Sequence, residues 1–155
     1  TIKLVLNRTG MGAIMTVKQI SVFLENKPGK LAEVTSAFSK SNINLRAMSL
    51  AEAEDFGIVR LITNDLYNTS TILKDAGFIF SVKDVLAIEI DDKPGSLTNV
   101  LNLLGENSIN LEYMYAFTSH TTGKVDMILS VADNKKAYDI VTANGITTMS
   151  QDDLS

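Results

Sequence analysis

The sequence predicts an α+β fold that is built twice, with each half of the chain forming a βαββαβ unit whose antiparallel sheet is covered by helices on one face. The first observation behind this prediction is an internal repeat. When residues 20–65 are placed on residues 86–131 without a gap, twelve of the forty-six positions are identical, whereas random pairing at roughly 6% per position gives about three. The second observation is that strand-like alternation and helix-like spacing follow one another in the same order in both copies. The repeat therefore predicts two small domains that pack on each other.

The first copy begins with a strand, because Ile20, Val22 and Leu24 alternate with other side chains. Pro28-Gly29 then supplies a turn, and Leu31, Val34 and Phe38 recur at helical spacing. We predict, in order, a strand at 19–25, a helix at 29–41, a hairpin of strands at 43–51 and 57–63, a helix that runs to 76 after an Asp65 N-cap, and a closing strand at 78–82.

The second copy repeats this order. We predict a strand at 85–91, a helix at 96–107, strands at 109–118 and 124–131, a helix at 134–143 and a short strand at 146–149. The predicted domains are then 18–84 and 85–150, with an N-terminal extension at 1–17 and a C-terminal tail at 151–155. Because the helices cover only one face of each sheet, we expect the sheets to pack edge to edge or face to face.

Composition excludes several functional classes. The chain of 155 residues has no cysteine and one histidine, His120, which argues against disulfides, thiol catalysis and a zinc site. The net charge of −4 comes from scattered residues, so nucleic-acid binding is not favoured. No apolar run is long enough to span a bilayer. We expect His120 to lie exposed in a hairpin turn without a role.

The first fifteen residues are apolar in part but lack a charged leader and a clear cleavage site. We therefore do not interpret them as a signal peptide. An extra edge strand and an extension outside the fold both remain open for residues 1–14. We expect a cytoplasmic protein.

Two segments at a constant offset resemble the signature of ACT domains, which have a ferredoxin-like fold. The segments are Glu25-Asn26-Lys27-Pro28-Gly29-Lys30-Leu31 followed by Asn42-Ile43-Asn44-Leu45, and Asp91-Asp92-Lys93-Pro94-Gly95-Ser96-Leu97 followed by Ser108-Ile109-Asn110-Leu111. The resemblance covers about residues 18–150 and is to a tandem ACT-domain protein. It implies that a small effector, usually an amino acid, binds at an interface between paired copies and regulates an attached or neighbouring enzyme.

The Pro-Gly loop is suited to a carboxylate. A glycine lets the backbone approach a ligand closely, and the start of a helix offers unpaired N–H groups with a partial positive charge. A turn of this kind also forms without any ligand, so the residues alone leave both explanations open. With the resemblance, the predicted ligand-binding loops are Asn26, Lys27, Pro28, Gly29, Lys30 and Leu31, and Asp92, Lys93, Pro94, Gly95, Ser96 and Leu97.

The start of the second strand in each copy is the other part of the predicted site. Asn44 and Asn110 carry both donor and acceptor atoms, and the resemblance implies a ligand-contacting asparagine there; an asparagine that closes the turn is the alternative. Asp92 replaces the first copy's Asn26, which favours a ligand ammonium or a basic side chain over a free carboxylate. Glu112, Tyr113 and Tyr115 indicate an aromatic or cationic ligand, although ordinary sheet packing also explains the tyrosines. The remaining predicted contacts are Leu45, Leu111 and Met114.

We therefore predict a regulatory protein that binds a free amino acid, with histidine or an aromatic amino acid as the first choices. It is expected to form a homodimer and to modulate a separate enzyme of amino-acid metabolism. The alternative is a ligand-independent interaction scaffold. We predict no catalytic residue, no cofactor and no metal site, because no nucleophile–base pair, Walker loop or dinucleotide fingerprint is present.

Overall fold

The computed structural model describes residues 13–154. The predicted extension at 1–17 therefore falls largely outside the described residues. The strands are β1 (Val17–Glu25), β2 (Leu45–Ala53), β3 (Phe56–Thr63), β4 (Ile79–Asp91), β5 (Leu111–Thr118), β6 (Lys124–Val131) and β7 (Thr147–Thr148). The helices are α1 (Lys30–Lys40), α2 (Leu66–Asp75), α3 (Ser96–Glu106) and α4 (Asn134–Ala143), and a 3₁₀ turn spans Asp152–Leu154.

Most predicted elements are confirmed, with bounds that differ by no more than two residues. The predicted N-cap of α2 is also correct, because the Asp65 side chain accepts a hydrogen bond from the backbone N–H of Asn68. Asp133 caps α4 in the same way, through the N–H of Lys136. The strand-to-helix order follows from local chemistry that is repeated in both copies.

The largest difference from prediction is β4. The strands predicted at 78–82 and 85–91 are one continuous strand, Ile79–Asp91. Lys83 and Asp84, at the predicted break, pair with Gln19 and Lys18 of β1, and no glycine or proline interrupts them. Residues 79–85 of β4 pair with β1, whereas residues 86–91 pair with β6. We call residues 17–85 the first half of the chain and residues 86–154 the second half.

Because β4 is shared, the strands form one seven-stranded antiparallel sheet rather than two separate sheets. Its order is β2-β3-β1-β4-β6-β5, and β7 also pairs with β4. Within the first half the order is β2-β3-β1-β4, and within the second half it is β5-β6-β4-β7. Each half thus carries the antiparallel βαββαβ pattern that the sequence predicts.

The apolar residues form three clusters. In the first half, α1 and α2 pack on one face of the sheet around Phe38 and Leu73. In the second half, α3 and α4 pack on the sheet in the same way, around Leu104 and Val141. The third cluster joins the faces that carry no helices. It combines Val17, Ala47, Ile62 and Val85 of the first half with Ala87, Ile128, Met149 and Leu154 of the second. The sheet therefore folds over so that its two helix-free faces pack against each other, the face-to-face arrangement.

No helix within residues 13–154 combines the length and the apolar character that a membrane span requires.

Candidate functional site

A groove lies beside the Pro-Gly loop in each half. In the second half it has a volume of about 520 Å³, and in the first half about 350 Å³. Both grooves are bordered by the end of the first strand, the first turns of the following helix and the turn after the second helix. The second groove is lined by Glu89, Ile90, Asp91, Lys93, Ser96, Asn99, Val100, Leu103, Lys124, Asn144, Gly145, Ile146 and Thr147. The first is lined by Phe23, Leu24, Glu25, Lys30, Glu33, Phe56, Ala76, Gly77, Phe78 and Ile79.

The two grooves occupy equivalent positions of the repeat. Lys30 corresponds to Ser96 and Glu33 to Asn99 at the same offset of sixty-six residues that relates the copies, and Gly77 and Gly145 end the turns. Their chemistry differs, since aromatic side chains line much of the first groove and charged and amide side chains line the second. Duplication has therefore produced two cavities with different preferences.

The start of α3 forms one wall of the second groove. Gly95 is the N-cap of this helix with φ of 90°, and Gly29 caps α1 with φ of 87°. A Cβ atom at either position would meet nothing within 4 Å, so the left-handed backbone rather than close packing requires glycine there. No described residue accepts a hydrogen bond from the backbone N–H groups of Leu97 and Thr98. These groups are available to an anion.

Two lysines pair with Asp91 at the mouth of the same groove. Lys124 Nζ lies 2.6 Å from one carboxylate oxygen and Lys93 Nζ lies 2.8 Å from the other. The hydrogen bonds and charges of Lys124 and Lys93 lower the pKa of Asp91 to about 2. Asp91 is consequently ionised at neutral pH and partly neutralises both ammonium groups. In the first half the counterpart is a single ion pair between Glu25 and Lys27, at 2.6 Å.

The remaining residues of the predicted loops are mostly exposed. Asn26 ties its loop to the β2–β3 turn, because its Nδ2 donates to the carbonyl oxygen of Glu54 at 2.9 Å. At the equivalent position of the second half, the link to the β5–β6 turn is made by the backbone: the N–H of Asp92 donates to the carbonyl oxygen of Gly123 at 2.9 Å. Pro28, Pro94 and Leu97 are also exposed, whereas Leu31 packs against the first core.

The predicted asparagines lie far from the loops of their own halves. Asn44 follows the C-terminal end of α1, which has 11 residues, so about 16 Å of helix separates it from the loop at the other end. Asn44 and Leu45 line a different cavity, of about 490 Å³, at that end of α1. Asn110 is exposed at the matching position of the second half, and Leu111 and Met114 pack on the second core. A ligand at a loop cannot reach the asparagine of the same half.

Glu112, Tyr113 and Tyr115 lie between the two halves and line none of the cavities described above. Glu112 pairs with Lys83 at 3.0 Å. The Tyr113 ring lies under the Arg60 guanidinium, 3.6 Å from its centroid, and both tyrosine hydroxyls hydrogen-bond the side chain of Gln19. These side chains thus have partners in a polar cluster that joins the halves.

The structure also gives partners to His120 and Arg46, to which the sequence assigned no role. His120 is exposed, as expected, but its Nε2 contacts Nη2 of Arg46, and Arg46 Nε also donates to the carbonyl oxygen of Leu154 at 2.7 Å. The start of β2 in the first half is therefore held against the β5–β6 turn of the second half. A lone arginine and histidine carried no motif that could have predicted this contact.

Comparison with known proteins identifies the family of this chain. The model of the ACT domain pair family matches residues 15–155, so the chain belongs to that family. ACT domains are in general regulatory modules that bind small molecules. No match is found among curated proteins.

Solved structures agree with this assignment. Protein BT0572 from Bacteroides thetaiotaomicron is 35% identical over 91% of this chain and 96% of its own, with a TM-score of 0.85. The ligand-free regulatory subunit of aspartate kinase from Thermus thermophilus shares the fold at 14% identity, over 85% of this chain and 98% of its own, with a TM-score of 0.60. The regulatory subunit from Thermus flavus is similar at 14% identity, over 84% and 93%, with a TM-score of 0.59.

Proposed function

We propose that this protein is a non-catalytic regulatory protein that binds a free amino acid in the groove beside the loop at residues 92–97. The observation that carries the proposal is that the same groove recurs beside both Pro-Gly loops, each at the start of a helix. A packing defect would have no reason to appear twice at equivalent positions. Membership of a family of small-molecule-binding regulators supports the same conclusion.

The second groove has the chemistry that an amino acid requires. The free N–H groups of Leu97 and Thr98 and the Ser96 hydroxyl offer donors to a carboxylate. The side-chain amide oxygens of Asn99 and Asn144, which line the groove, offer acceptors to an ammonium group, whereas Asp91 is paired with two lysines. The first groove, with Phe23, Phe56 and Phe78, is the less suitable of the two for a zwitterion.

We further propose that the halves act as paired ACT-like domains of residues 18–84 and 85–150. In this arrangement Asn44 and Asn110 each contact a ligand that is bound at the loop of the other half. Support comes from Arg46, two residues after Asn44, which contacts His120 in the hairpin that also bonds Asp92 through Gly123. The affinity for the ligand would then depend on the relative position of the two halves. Such a signal suits control of a separate metabolic enzyme in the cytoplasm.

Of the residues on which the choice of histidine or an aromatic amino acid was based, only Asp92 remains near the loop, and it does not line the groove. The other residues on which that choice was based, Glu112, Tyr113 and Tyr115, have partners between the two halves. Thermal unfolding of the protein against each of the twenty amino acids at millimolar concentration tests the proposal. A ligand at a hundred times its dissociation constant stabilises by about 2.7 kcal/mol, or roughly 5 to 11 °C for a chain of this size. Mass spectrometry of denatured protein checks that no retained amino acid hides the effect.

A pair of variants locates the site. Asn99→Tyr fills the second groove from an exposed position on α3, so we expect it to abolish the ligand-induced shift while the protein stays folded by circular dichroism. Asn102→Tyr makes the same change three residues further along α3, outside the lining of the groove, and should keep the shift. Equal ligand binding by both variants would place the ligand elsewhere.

A ligand-independent scaffold is the second candidate. It is favoured by an exposed apolar patch formed by Phe23, Phe56 and Ile79 on the sheet of the first half. Absence of a shift with all twenty amino acids, together with no retained ligand, would make this the better reading.

A further inference from the structure

A further cavity, on the helix-free face of the second half, is lined by a buried acid that no described residue hydrogen-bonds. The cavity has a volume of about 280 Å³ and lies between β4, the β5–β6 turn and the C-terminal segment. Asp126 lines it with a residue exposure of 1%. Neither of its carboxylate oxygens is hydrogen-bonded by any residue within 13–154. A buried carboxylate without a partner is costly, and native structures normally provide one.

The position of Glu89 raises this cost. Glu89 of β4 is the direct antiparallel partner of Asp126 in β6, so the two carboxylates leave the same face of the sheet with Cβ atoms about 5 Å apart. Like charges that face each other across strands are destabilising. The hydroxyl of Ser119, which also lines the cavity, gives its hydrogen bond to Glu89 Oε2 at 3.0 Å.

The other charged groups around the cavity do not supply the missing cation. Asp153 adds a third carboxylate, and its Oδ2 accepts from the backbone and side chain of Ser150. Nε2 of His120, which also lines the cavity, contacts Nη2 of Arg46. Burial, and then the charge of Glu89, raise the pKa of the Asp126 carboxyl, although Ser119 and His120 act in the opposite direction.

We propose that this cavity is a binding site for a small organic cation with a primary ammonium group, which Asp126 and Glu89 hold between their carboxylates. An organic cation is favoured over a metal ion for two reasons. No group of three or more His, Asp and Glu side chains between residues 13 and 154 is arranged to hold a metal. The volume also corresponds to about nine waters at roughly 30 Å³ each, which is too large for a bare ion but suits a short amine whose carbon chain contacts Met149.

The site adjoins the groove proposed for the amino acid, because Glu89 and Thr147 line both cavities, but Asp126 lines only this one and the loop at residues 92–97 does not line it. It is also specific to the second half. Asp126 corresponds to Arg60 and Glu89 to Phe23 in the repeat, so the first half has no equivalent acid pair.

The test is a titration of the full chain with n-butylammonium chloride, followed by amide chemical shifts in NMR spectra, with potassium chloride at matched ionic strength as the reference. We expect saturable shifts around Ser119, Glu89 and Asp126 with the amine only. Asp126→Asn should weaken binding at least tenfold, and Glu89→Gln should also weaken it. Asp139→Asn, which removes an exposed acid from α4, should leave binding unchanged.

Three results would overturn the proposal. Saturation by potassium or magnesium chloride would define an inorganic cation site instead. Unchanged amine binding in Asp126→Asn would place the amine elsewhere. Failure of the amine to cause any saturable shift at 50 mM would mean that a shared proton, rather than a ligand, relieves the acid pair. Glu89 lines both cavities, so the two proposals are separated by Asn99→Tyr, which changes only the other groove, and by Asp126→Asn, which changes only this cavity.

Discussion

At the scale of single residues, Gln19 is the clearest link between the two halves. It lies on the helix-free face of β1, is fully buried, and uses both ends of its amide. Its Nε2 donates to the Tyr113 hydroxyl at 2.6 Å, and its Oε1 accepts from the Tyr115 hydroxyl at 2.7 Å. Burial raises the pKa of the Tyr115 phenol, so that hydroxyl remains a donor throughout the neutral range. The amide therefore fixes how the helix-free faces align.

We expect Gln19→Leu to lower the free energy of unfolding by about 2 kcal/mol, because it leaves two tyrosine hydroxyls unpaired between the halves. Urea denaturation measures the change. The triple variant Gln19→Leu/Tyr113→Phe/Tyr115→Phe removes the hydroxyls as well and should recover most of the loss, since an apolar replacement of all partners is nearly neutral. An equal loss in the single and triple variants would show that packing, not hydrogen bonding, is the contribution of Gln19.

At the scale of elements, α3 and its N-cap position each hold one glycine, and the two have opposite roles. Gly95 precedes the helix with φ of 90°, a conformation that costs other residues about 1–2 kcal/mol. Gly105 lies within the helix, where a Cβ atom would meet nothing within 4 Å. There it only weakens the helix, by about 0.5–1 kcal/mol relative to alanine. The first glycine shapes the loop beside the groove, and the second is replaceable.

The same substitution at the two positions should have opposite signs. We expect Gly95→Ala to lower the free energy of unfolding by about 1–2 kcal/mol and Gly105→Ala to raise it by about 0.5–1 kcal/mol. Guanidinium denaturation of both variants provides the comparison. If Gly95→Ala left stability unchanged, the left-handed turn would not be a requirement of the loop.

The sequence predicted the elements because their signals are local. The Pro-Gly turns, the Asp65 cap and the spacing of Leu31, Val34 and Phe38 each act within a few residues. The continuity of β4 could not be predicted in this way, since Lys83 and Asp84 look like a polar break until β1 pairs with them. The position of Glu112 and Tyr113 between the halves likewise depends on how distant strands fold over each other.

At the scale of the whole molecule, an apolar patch on the sheet of the first half is exposed among residues 13–154. Phe23 pairs with Ile79 across β1 and β4, and Phe56 lies beside them on β3. All three face away from the helices, and Ile79 is 73% exposed. The patch continues the face that the second half covers further along the sheet, and the adjacent Glu25 and Lys27 neutralise each other. A neutral apolar surface can meet its own copy without repulsion, which supports a homodimer through this face.

We expect the protein to have twice the monomer mass in light scattering, and Ile79→Lys to shift it to the monomer because two lysines would meet across a twofold axis. Tyr67→Lys removes another exposed apolar side chain, 80% exposed on α2, and should leave the dimer intact. A dimer that survives Ile79→Lys would have to form through a different surface.

The sharing of β4 has a consequence for how the copies could diverge. Two separate chains of this kind would meet only at a concentration set by their affinity, whereas a covalent strand holds the halves at an effective concentration in the millimolar range. The facing surfaces of two halves joined in this way need not be identical, because each surface has to match only the surface of the other half in the same chain. Position 60 can then be arginine, stacked on Tyr113, while its duplicate, Asp126, is a buried acid. One gene duplication has thereby given the molecule two different surfaces from a single ancestral face.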